Sequence, residues 1–171
     1  MNFIRLPQHP CRLDEATLLS QCRLHFTRRG GPGGQHRNKV DSAVVITHLP
    51  TQIIAEANER RDQSQNRRVA VARLRRQLAW LVRSEASSEV SPLWRTRCIE
   101  KSGDVSPEHW DYPTLIAEAL DRIVECNWEL STAAGQLNVS TSRVAKLLRS
   151  DRQTLEWVNR QRATHNFPAI R

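Results

Sequence analysis

The chain has 171 residues, of which 39% are hydrophobic, and a formal net charge of +8. That length suits one domain or two small ones, and the positive charge favours a polyanionic partner, with nucleic acid ahead of an anionic membrane. No apolar run approaches the roughly 18 residues that a membrane-spanning helix needs, and the first residues lack the charged and apolar regions of a signal peptide. We therefore expect a cytoplasmic protein.

The charge divides the chain into three parts. Residues 1–84 carry a net charge of +9, residues 85–130 carry −6 and residues 131–171 carry +5. This pattern indicates two basic modules separated by an acidic connector. Because serine, glycine and proline accumulate over 85–112, we predict a first domain over 1–84, a linker over 85–112 and a helical module over 113–171.

The first module begins with a mixture of short elements. Residues 1–12 contain two prolines and are predicted to be irregular. Residues 13–22 predict a short helix capped by Asp14. The alternation of polar and apolar residues over 23–28 predicts a strand, and β-branched residues on either side of a proline turn predict an antiparallel hairpin over 42–57.

A long helix is predicted over 63–83, with Asp62 as its N-cap and Gln65 completing a capping box. Its apolar side chains are expected to face the core together: Val69, Ala72, Leu74, Leu78, Leu81 and Val82. The opposite face is expected to carry six arginines: Arg67, Arg68, Arg73, Arg75, Arg76 and Arg83. No acidic residue lies between 63 and 84 to neutralise them, so we predict that this face contacts phosphates rather than water alone.

The C-terminal module predicts a series of helices. The first, over 113–129, is expected to serve as a scaffold with an acidic face in solvent: Glu118, Asp121, Glu125 and Glu129. Residues 131–149 predict two short helices capped by Ser131 and Ser140, with Asn138 in a left-handed turn. This pattern is typical of a helix-turn-helix, although a helical hairpin that completes a small bundle fits it too.

The four cysteines do not form a C-x-x-C pair: Cys11, Cys22, Cys98 and Cys126. This spacing argues against a zinc site, and free thiols in a reducing cytosol are the expectation. We predict neither a metal nor a cofactor.

One segment stands apart in composition. Residues 28–39 hold four of the six glycines, one proline and four basic residues. Glycine permits torsions that are closed to other residues and lets the backbone approach a ligand, while proline fixes one torsion. Ordering such a loop costs entropy, which favours a functional role, although composition alone leaves a plain surface connection open.

The motif Gly33-Gly34-Gln35 lies in this segment, within the run Arg28-x-Gly-x-Pro-Gly-Gly-Gln-His-x-Asn-Lys39. Three further runs follow it: Asp41-Ser42-Ala43-Val44, Ile46-Thr47-His48-Leu49-Pro50-Thr51 and Arg61-Asp62-Gln63-x-x-Asn66-Arg67. In their order and spacing, residues 23–78 resemble the catalytic domain of class I peptide chain release factors and of their codon-independent relatives, the ribosome-rescue peptidyl-tRNA hydrolases.

The resemblance implies hydrolysis of the ester that joins a nascent peptide to P-site tRNA, in the peptidyl-transferase centre of the large ribosomal subunit. Gly33 and Gly34 would allow unusual torsions, and the backbone N–H of Gln35 would stabilise charge that develops in the transition state. The glutamine is often N-methylated in this family, so Gln35 is a candidate modification site. His36 is expected to contact RNA or to orient the loop rather than to act as a general base.

Ribosomal RNA and P-site peptidyl-tRNA are the partners that the resemblance implies. The side chains expected to contact RNA are polar or basic: Arg28, Arg29, His36, Arg37, Asn38, Lys39, Arg67, Arg68, Arg75, Arg143, Lys146 and Arg149. The last three belong to the C-terminal module, which would reach ribosomal RNA, the mRNA channel or the small subunit.

Some positions depart from the family pattern. Arg37 stands where an apolar residue, often valine, is usual, and this could change how the loop seats. Asp62 stands where serine is usual in the family. Serine is also usual at the position of Arg29 or Gly30. Stop-codon-reading factors also carry a separate recognition domain, which the residues before Arg23 are too few to hold.

We therefore favour a codon-independent peptidyl-tRNA hydrolase that rescues stalled ribosomes. The alternatives are a non-enzymatic ribosome-binding or RNA-binding protein and a helix-turn-helix DNA-binding regulator. The expected fold class is α+β, with a small, mostly antiparallel sheet and a packed helix followed by an all-α module.

Overall fold

We describe the protein from a computed structural model, which defines residues 3–27, 42–85, 89–101 and 104–171. Within them the strands are, in chain order, β1 (Ile4–Arg5), β2 (Cys22–Thr27), β3 (Ala43–His48), β4 (Ile53–Ala57) and β5 (Val82–Arg83). The helices are α1 (Glu15–Ser20), α2 (Gln63–Leu81), α3 (Pro92–Trp94), α4 (Tyr112–Glu125), α5 (Leu130–Gln136), α6 (Thr141–Arg149) and α7 (Arg152–Thr164).

The mixture of helices and strands confirms the predicted α+β class. The chain divides into two compact units, one formed by Pro10–Leu78 and the other by Met1–His9 together with Ala79–Arg171. The domain limits predicted at residues 84 and 112 stay predictions. In the part of the chain that the structure describes, none of the helices combines the length and hydropathy needed to cross a membrane.

The unit formed by Pro10–Leu78 is built on an antiparallel sheet in the order β2-β3-β4. The pairing of β2 with β3 begins with Cys22 opposite His48 and ends with Thr27 opposite Ala43. The predicted strand and hairpin are thereby confirmed. The core of the unit consists of small and aliphatic side chains from the sheet, α1 and α2: Leu18, Val44, Ile46, Ala55, Ala57, Ala70, Leu74 and Leu78.

Side-chain caps fix the start of both helices in this unit. The Asp14 carboxylate accepts a hydrogen bond from the Thr17 N–H at 3.0 Å, and the Asp62 carboxylate accepts one from the Gln65 N–H at 2.8 Å. Both caps were predicted from the sequence and are confirmed. Hydrogen bonds from the Ser64 hydroxyl and the Gln65 N–H also hold the pKa of Asp62 below its ordinary value, because they stabilise the charged carboxylate.

The buried face of α2 differs from the prediction. Leu74 and Leu78 are buried as predicted, but Asn66, Ala70, Val71, Arg75 and Ala79 are buried as well. Ala72, expected in the core, is exposed, and Val69 and Leu81 are only partly buried. Alanine occurs on both the buried and the exposed face of α2, so its position in the sequence does not show which face is buried. The first buried residue of the helix, Asn66, is polar, which the hydrophobic pattern could not predict.

The second unit contains a two-stranded parallel sheet in which Ile4 of β1 lies opposite Val82 of β5. The expectation of an irregular segment over residues 1–12 is therefore wrong for β1. Those residues also contribute a short 3₁₀ turn over Pro10–Arg12 in the first unit.

The predicted linker over 85–112 includes packed structure. Helix α3 has Ser91 as its N-cap and continues directly into a π-helical turn over Arg95–Ile99. Trp94 is only 1% exposed, and its indole N–H donates to the Leu137 carbonyl at 3.0 Å. This contact anchors the segment to the helices that follow.

Helix α4 is buried on almost every side. Glu118 and Asp121, which were expected to face solvent, are each 5% exposed. Glu118 accepts a hydrogen bond from the Ser91 N–H at 2.7 Å, and Asp121 pairs with Arg83 at 3.0 Å. The predicted solvent face is wrong for these two acids because residues distant in sequence cover and bind them.

The end of α4 also differs from the prediction. It ends at Glu125 rather than residue 129, because Asn127 and Trp128 adopt positive φ angles of 50° and 69°, which do not continue a right-handed helix. As a result, Glu129 rather than Ser131 occupies the cap position of α5.

Helices α5 and α6 form the predicted pair of short helices. Asn138 has a φ angle of 56° at the turn between them, and the Ser140 hydroxyl accepts a hydrogen bond from the Arg143 N–H at 3.3 Å. Both features confirm the prediction. The inward side chains of the pair are buried: Ala133, Ala134, Leu137, Val144, Leu147 and Leu148.

Candidate functional site

The Gly-Gly-Gln motif belongs to residues 28–41, here called the motif segment, which lie outside the described residues; these resume at Ser42. This applies to the predicted catalytic residues and to half of the predicted RNA contacts: Gly33, Gly34 and Gln35, and Arg28, Arg29, His36, Arg37, Asn38 and Lys39. It applies equally to the predicted modification of Gln35. We therefore describe the site through the residues on either side of this segment and through their contacts.

Both ends of the motif segment adjoin the sheet at the same place. Thr27 is the last residue of β2 and Ala43 is the first of β3, and the two are register partners. Register partners in antiparallel strands have Cα atoms about 5 Å apart. The chain therefore leaves the sheet and returns to it at adjacent positions.

Asn66 of α2 binds the residue at which the chain returns. Its side-chain NH₂ donates to the Ser42 carbonyl at 2.6 Å and to the Arg60 carbonyl at 2.8 Å, while its side-chain oxygen accepts the Arg60 N–H at 2.9 Å. Asn66 has no exposed surface. The sequence marks it only as a member of a motif run, since its partner Ser42 lies 24 positions away along the chain.

A second buried polar side chain, His48, holds the opposite end of β3. Its Nδ1 lies 2.7 Å from the Thr51 hydroxyl, and its Nε2 lies 3.2 Å from the side-chain oxygen of Gln21. Burial lowers the pKa of His48, because a charged imidazolium would lose its hydration. The ring is neutral at neutral pH and stabilises the hairpin.

Two of the predicted RNA contacts on α2, Arg67 and Arg68, are exposed. Farther along the helix, Arg73 donates to the Glu56 carbonyl at 2.6 Å and pairs with Glu59 at 2.5 Å. An acid outside the helix therefore neutralises part of the arginine face. The available positive surface is concentrated near the N-terminal turn of α2.

Arg75 does not belong to the exposed arginine face. It is 1% exposed, and its guanidinium donates to the Cys11 carbonyl at 3.0 Å. The prediction that Arg75 contacts phosphate is wrong in this structure, because its charged group lies inside the protein. Arg83 was also expected on this face and is 2% exposed beside Asp121.

The predicted RNA contacts of α6 make bonds within the protein. Arg143 is partly buried and donates to the Cys98 carbonyl at 2.7 Å. Lys146 pairs with Asp104 at 2.6 Å, with both side chains more than half exposed, and Arg149 donates to the carbonyl of the last residue. Exposed pairs contribute little stability, so Lys146 can exchange its partner at small cost, whereas Arg143 is held more firmly.

Comparison with known proteins connects this arrangement to a family. The profile of the RF-1 domain matches residues 17–106, more than half of the chain. The chain belongs to the RF-1 domain family. The resemblance predicted over residues 23–78 is confirmed, and the matched region extends beyond it on both sides.

Several curated relatives are peptide chain release factors. Peptide chain release factor 1 of Symbiobacterium thermophilum is 43% identical over 75 residues, which cover 44% of this chain and 21% of the relative. Peptide chain release factor 1 of Xylella fastidiosa is 44% identical over 80 residues, which cover 46% of this chain and 21% of the relative. The chain thus spans about a fifth of the length of these relatives. The nearer likeness to rescue hydrolases stays a prediction.

Proposed function

We propose that this protein hydrolyses the ester of peptidyl-tRNA on the ribosome, without reading a codon, and so rescues stalled ribosomes. The observation that carries the proposal is the Gly33-Gly34-Gln35 motif within the matched RF-1 domain. The sheet supports it, because β2 and β3, on either side of the motif segment, pair up to Thr27 and Ala43. We place the protein in the cytoplasm with its ribosomal target.

In the proposed reaction, water attacks the carbonyl carbon of the ester and the bond to the ribose oxygen breaks. The peptide leaves with a free carboxylate, and the terminal adenosine of the tRNA recovers its hydroxyl group. The backbone N–H of Gln35 would stabilise the oxyanion that forms on the carbonyl oxygen, and Gly33 and Gly34 would permit the torsions that aim this N–H. The ribosome and the tRNA would supply most of the positioning.

Binding to ribosomal RNA would use the basic residues of the motif segment together with Arg67 and Arg68. The exposure of these two side chains near the N-terminal turn of α2 supports this role, since exposed guanidinium groups gain affinity for phosphate by releasing counterions. Arg75 is excluded from this set by its burial. Any N-methylation would be placed on Gln35.

The helices after residue 106 would supply the contact that selects the ribosomal state, through ribosomal RNA, the mRNA channel or the small subunit. Lys146 and Arg149 are the exposed cations of α6 that suit this role. Arg143 suits it less, because its guanidinium bonds to the Cys98 carbonyl.

The proposal is tested by measuring release of formyl-methionine from ribosomes that carry formyl-methionyl-tRNA in the P site. Three A-site states are compared: empty, occupied by a sense codon, and occupied by a stop codon. We expect release in all three, with the fastest release from ribosomes whose mRNA ends in the P site. Release only with a stop codon would contradict codon-independent action.

A non-enzymatic protein that binds the ribosome or RNA is the second candidate. The bonds that the basic side chains of α6 make within the protein do not favour this candidate over the first. It predicts that the protein co-sediments with ribosomes while none of the three A-site states yields formyl-methionine. A DNA-binding regulator is favoured by the α5–α6 geometry alone, and predicts tight duplex binding that is weakened by Lys146→Ala without any ribosome association.

A further inference from the structure

Asn66 forms a buried bridge between three parts of the chain. It belongs to the first turns of α2, it receives and donates hydrogen bonds at Arg60 in the connection that precedes this helix, and it donates to the Ser42 carbonyl. The donor–acceptor distances of the three bonds lie between 2.6 and 2.9 Å. Both N–H groups and the oxygen of the amide are therefore used, and Asn66 itself has no exposed surface.

The chemistry of the bridge requires an amide of this length. Ser42 and Arg60 present carbonyl oxygens, which need donors, while the Arg60 N–H needs an acceptor. Among side chains of this size, only asparagine offers two donors and an acceptor on one planar group. Aspartate would set a second oxygen against two carbonyl oxygens, and leucine would remove the partner of three backbone groups, of which the Ser42 carbonyl bond is buried.

The position of the bridge connects it to the proposed chemistry. Ser42 directly follows the motif segment and precedes Ala43, the residue that pairs with Thr27. Holding the Ser42 carbonyl fixes the point at which that segment rejoins the sheet. Because Arg67 follows Asn66 in the same helix, the bridge also sets this point relative to the exposed basic turn of α2.

We propose that Asn66 is a positioning residue for the Gly-Gly-Gln motif, acting through Ser42; this inference rests on the proposed function. It anchors the returning end of the catalytic segment to the helix that would bind RNA. Its loss would displace the motif rather than weaken the attachment of the protein to the ribosome, because Arg67 and Arg68 remain. A displacement of about 1 Å at a reacting group can cost about 100-fold in rate.

The test compares Asn66→Ala with His48→Ala in the full chain. His48 is the matched control, since it is also fully buried, lies in the same unit and holds the opposite end of β3 through side-chain bonds. We expect both variants to melt at a lower temperature than the wild type. We expect only Asn66→Ala to lower the maximal rate of release, about 10- to 100-fold, at an unchanged half-saturating ribosome concentration.

Amide hydrogen exchange in the free protein gives a second readout that needs no ribosome. Asn66→Ala should raise exchange at residues 42–46, while His48→Ala should raise it at residues 47–51. Asn66→Asp keeps the size of the side chain and the acceptor, and it should raise exchange at the same residues, 42–46. It replaces Asn66→Ala in this measurement if the alanine variant folds poorly.

The outcomes separate the two proposals. If the wild type releases peptide and Asn66→Ala releases it as fast as His48→Ala, the positioning role is overturned while the proposed function stands. If the wild type releases nothing, both proposals fail as stated, and exchange at residues 42–46 still shows whether the anchor exists. Unchanged exchange there in both Asn66 variants would contradict the anchor itself.

Discussion

At the scale of single residues, two fully buried polar side chains hold β3, and they respond differently to pH. Asn66 carries no titratable group, whereas His48 can accept a proton. The partners of His48 are Thr51 and Gln21, which are both neutral. Neither can offset the charge of an imidazolium, so burial alone sets the direction of the shift and lowers the pKa of His48.

This pKa predicts how stability changes with pH. The unfolded chain binds a proton at His48 near the ordinary pKa of about 6.5, before the folded protein does. The contribution of neutral His48 is therefore present above about pH 6.5 and is lost as the pH falls through the lower pKa of the folded state. We expect the melting temperature of the wild type to fall more between pH 7.5 and 5 than that of His48→Gln.

The wild type and His48→Gln share all the other histidines, so the difference between their melting temperatures reports on His48 alone. Parallel pH profiles of the melting temperature would show that His48 does not titrate differently on folding.

At the scale of elements, a buried ion pair joins β5 to α4. Arg83 and Asp121 lie 3.0 Å apart, and both side chains are 2% exposed. Arg83 also donates to the Ala117 carbonyl at 3.2 Å, and the Ser84 hydroxyl donates to Asp121 at 2.9 Å. Because both charges are desolvated, each depends on the other more than an exposed pair would.

Removing one partner of this pair should be costly. We expect Asp121→Leu to lower the free energy of unfolding by about 3–5 kcal/mol, because it leaves a buried guanidinium without its counter-ion. The double variant Arg83→Leu with Asp121→Leu should recover much of that loss, since it buries no unpaired charge. Urea unfolding of the wild type, both single variants and the double variant measures these differences; additive losses would exclude the coupling.

The same elements show what the sequence could and could not predict. Asp14, Asp62 and Ser140 cap helices through bonds to residues three positions away, so local sequence is sufficient to find them. The burial of Arg83 depends on Asp121, 38 positions away, and the periodicity of α2 carries no information about that acid. For this reason the sequence predicted more arginines on the exposed face than the structure places there.

At the scale of the whole molecule, the family match and the compact units do not coincide. The match covers residues 17–106, whereas the units divide between Leu78 and Ala79. The matched region therefore includes the whole sheet formed by β2, β3 and β4 and also α3, whose Trp94 bonds to the Leu137 carbonyl beyond the match. Residues 79–106 of the matched region therefore belong to the same compact unit as the residues after 106.

Some parts of the candidate site could be predicted from the sequence and others could not. The ordered runs from Arg28 to Arg67 were sufficient to predict the family, because their order and spacing resemble those of class I release factors. The role of Asn66 was not predictable, since it depends on where the Ser42 carbonyl lies in three dimensions. The roles of Arg143 and Lys146 were equally hidden, because their partners come from residues 98–104.

The central claim is that Gln35 and its two glycines supply the chemistry of release. Its most direct test is the rate of formyl-methionine release from ribosomes carrying formyl-methionyl-tRNA, compared between the wild type, Gln35→Ala and the control Gln52→Ala. Gln52 is an exposed glutamine in the turn between β3 and β4, distant from the motif in the sequence. We predict that Gln35→Ala releases at least about 10-fold more slowly than the wild type, while Gln52→Ala is unaffected. Equal rates for the wild type and Gln35→Ala would contradict the claim.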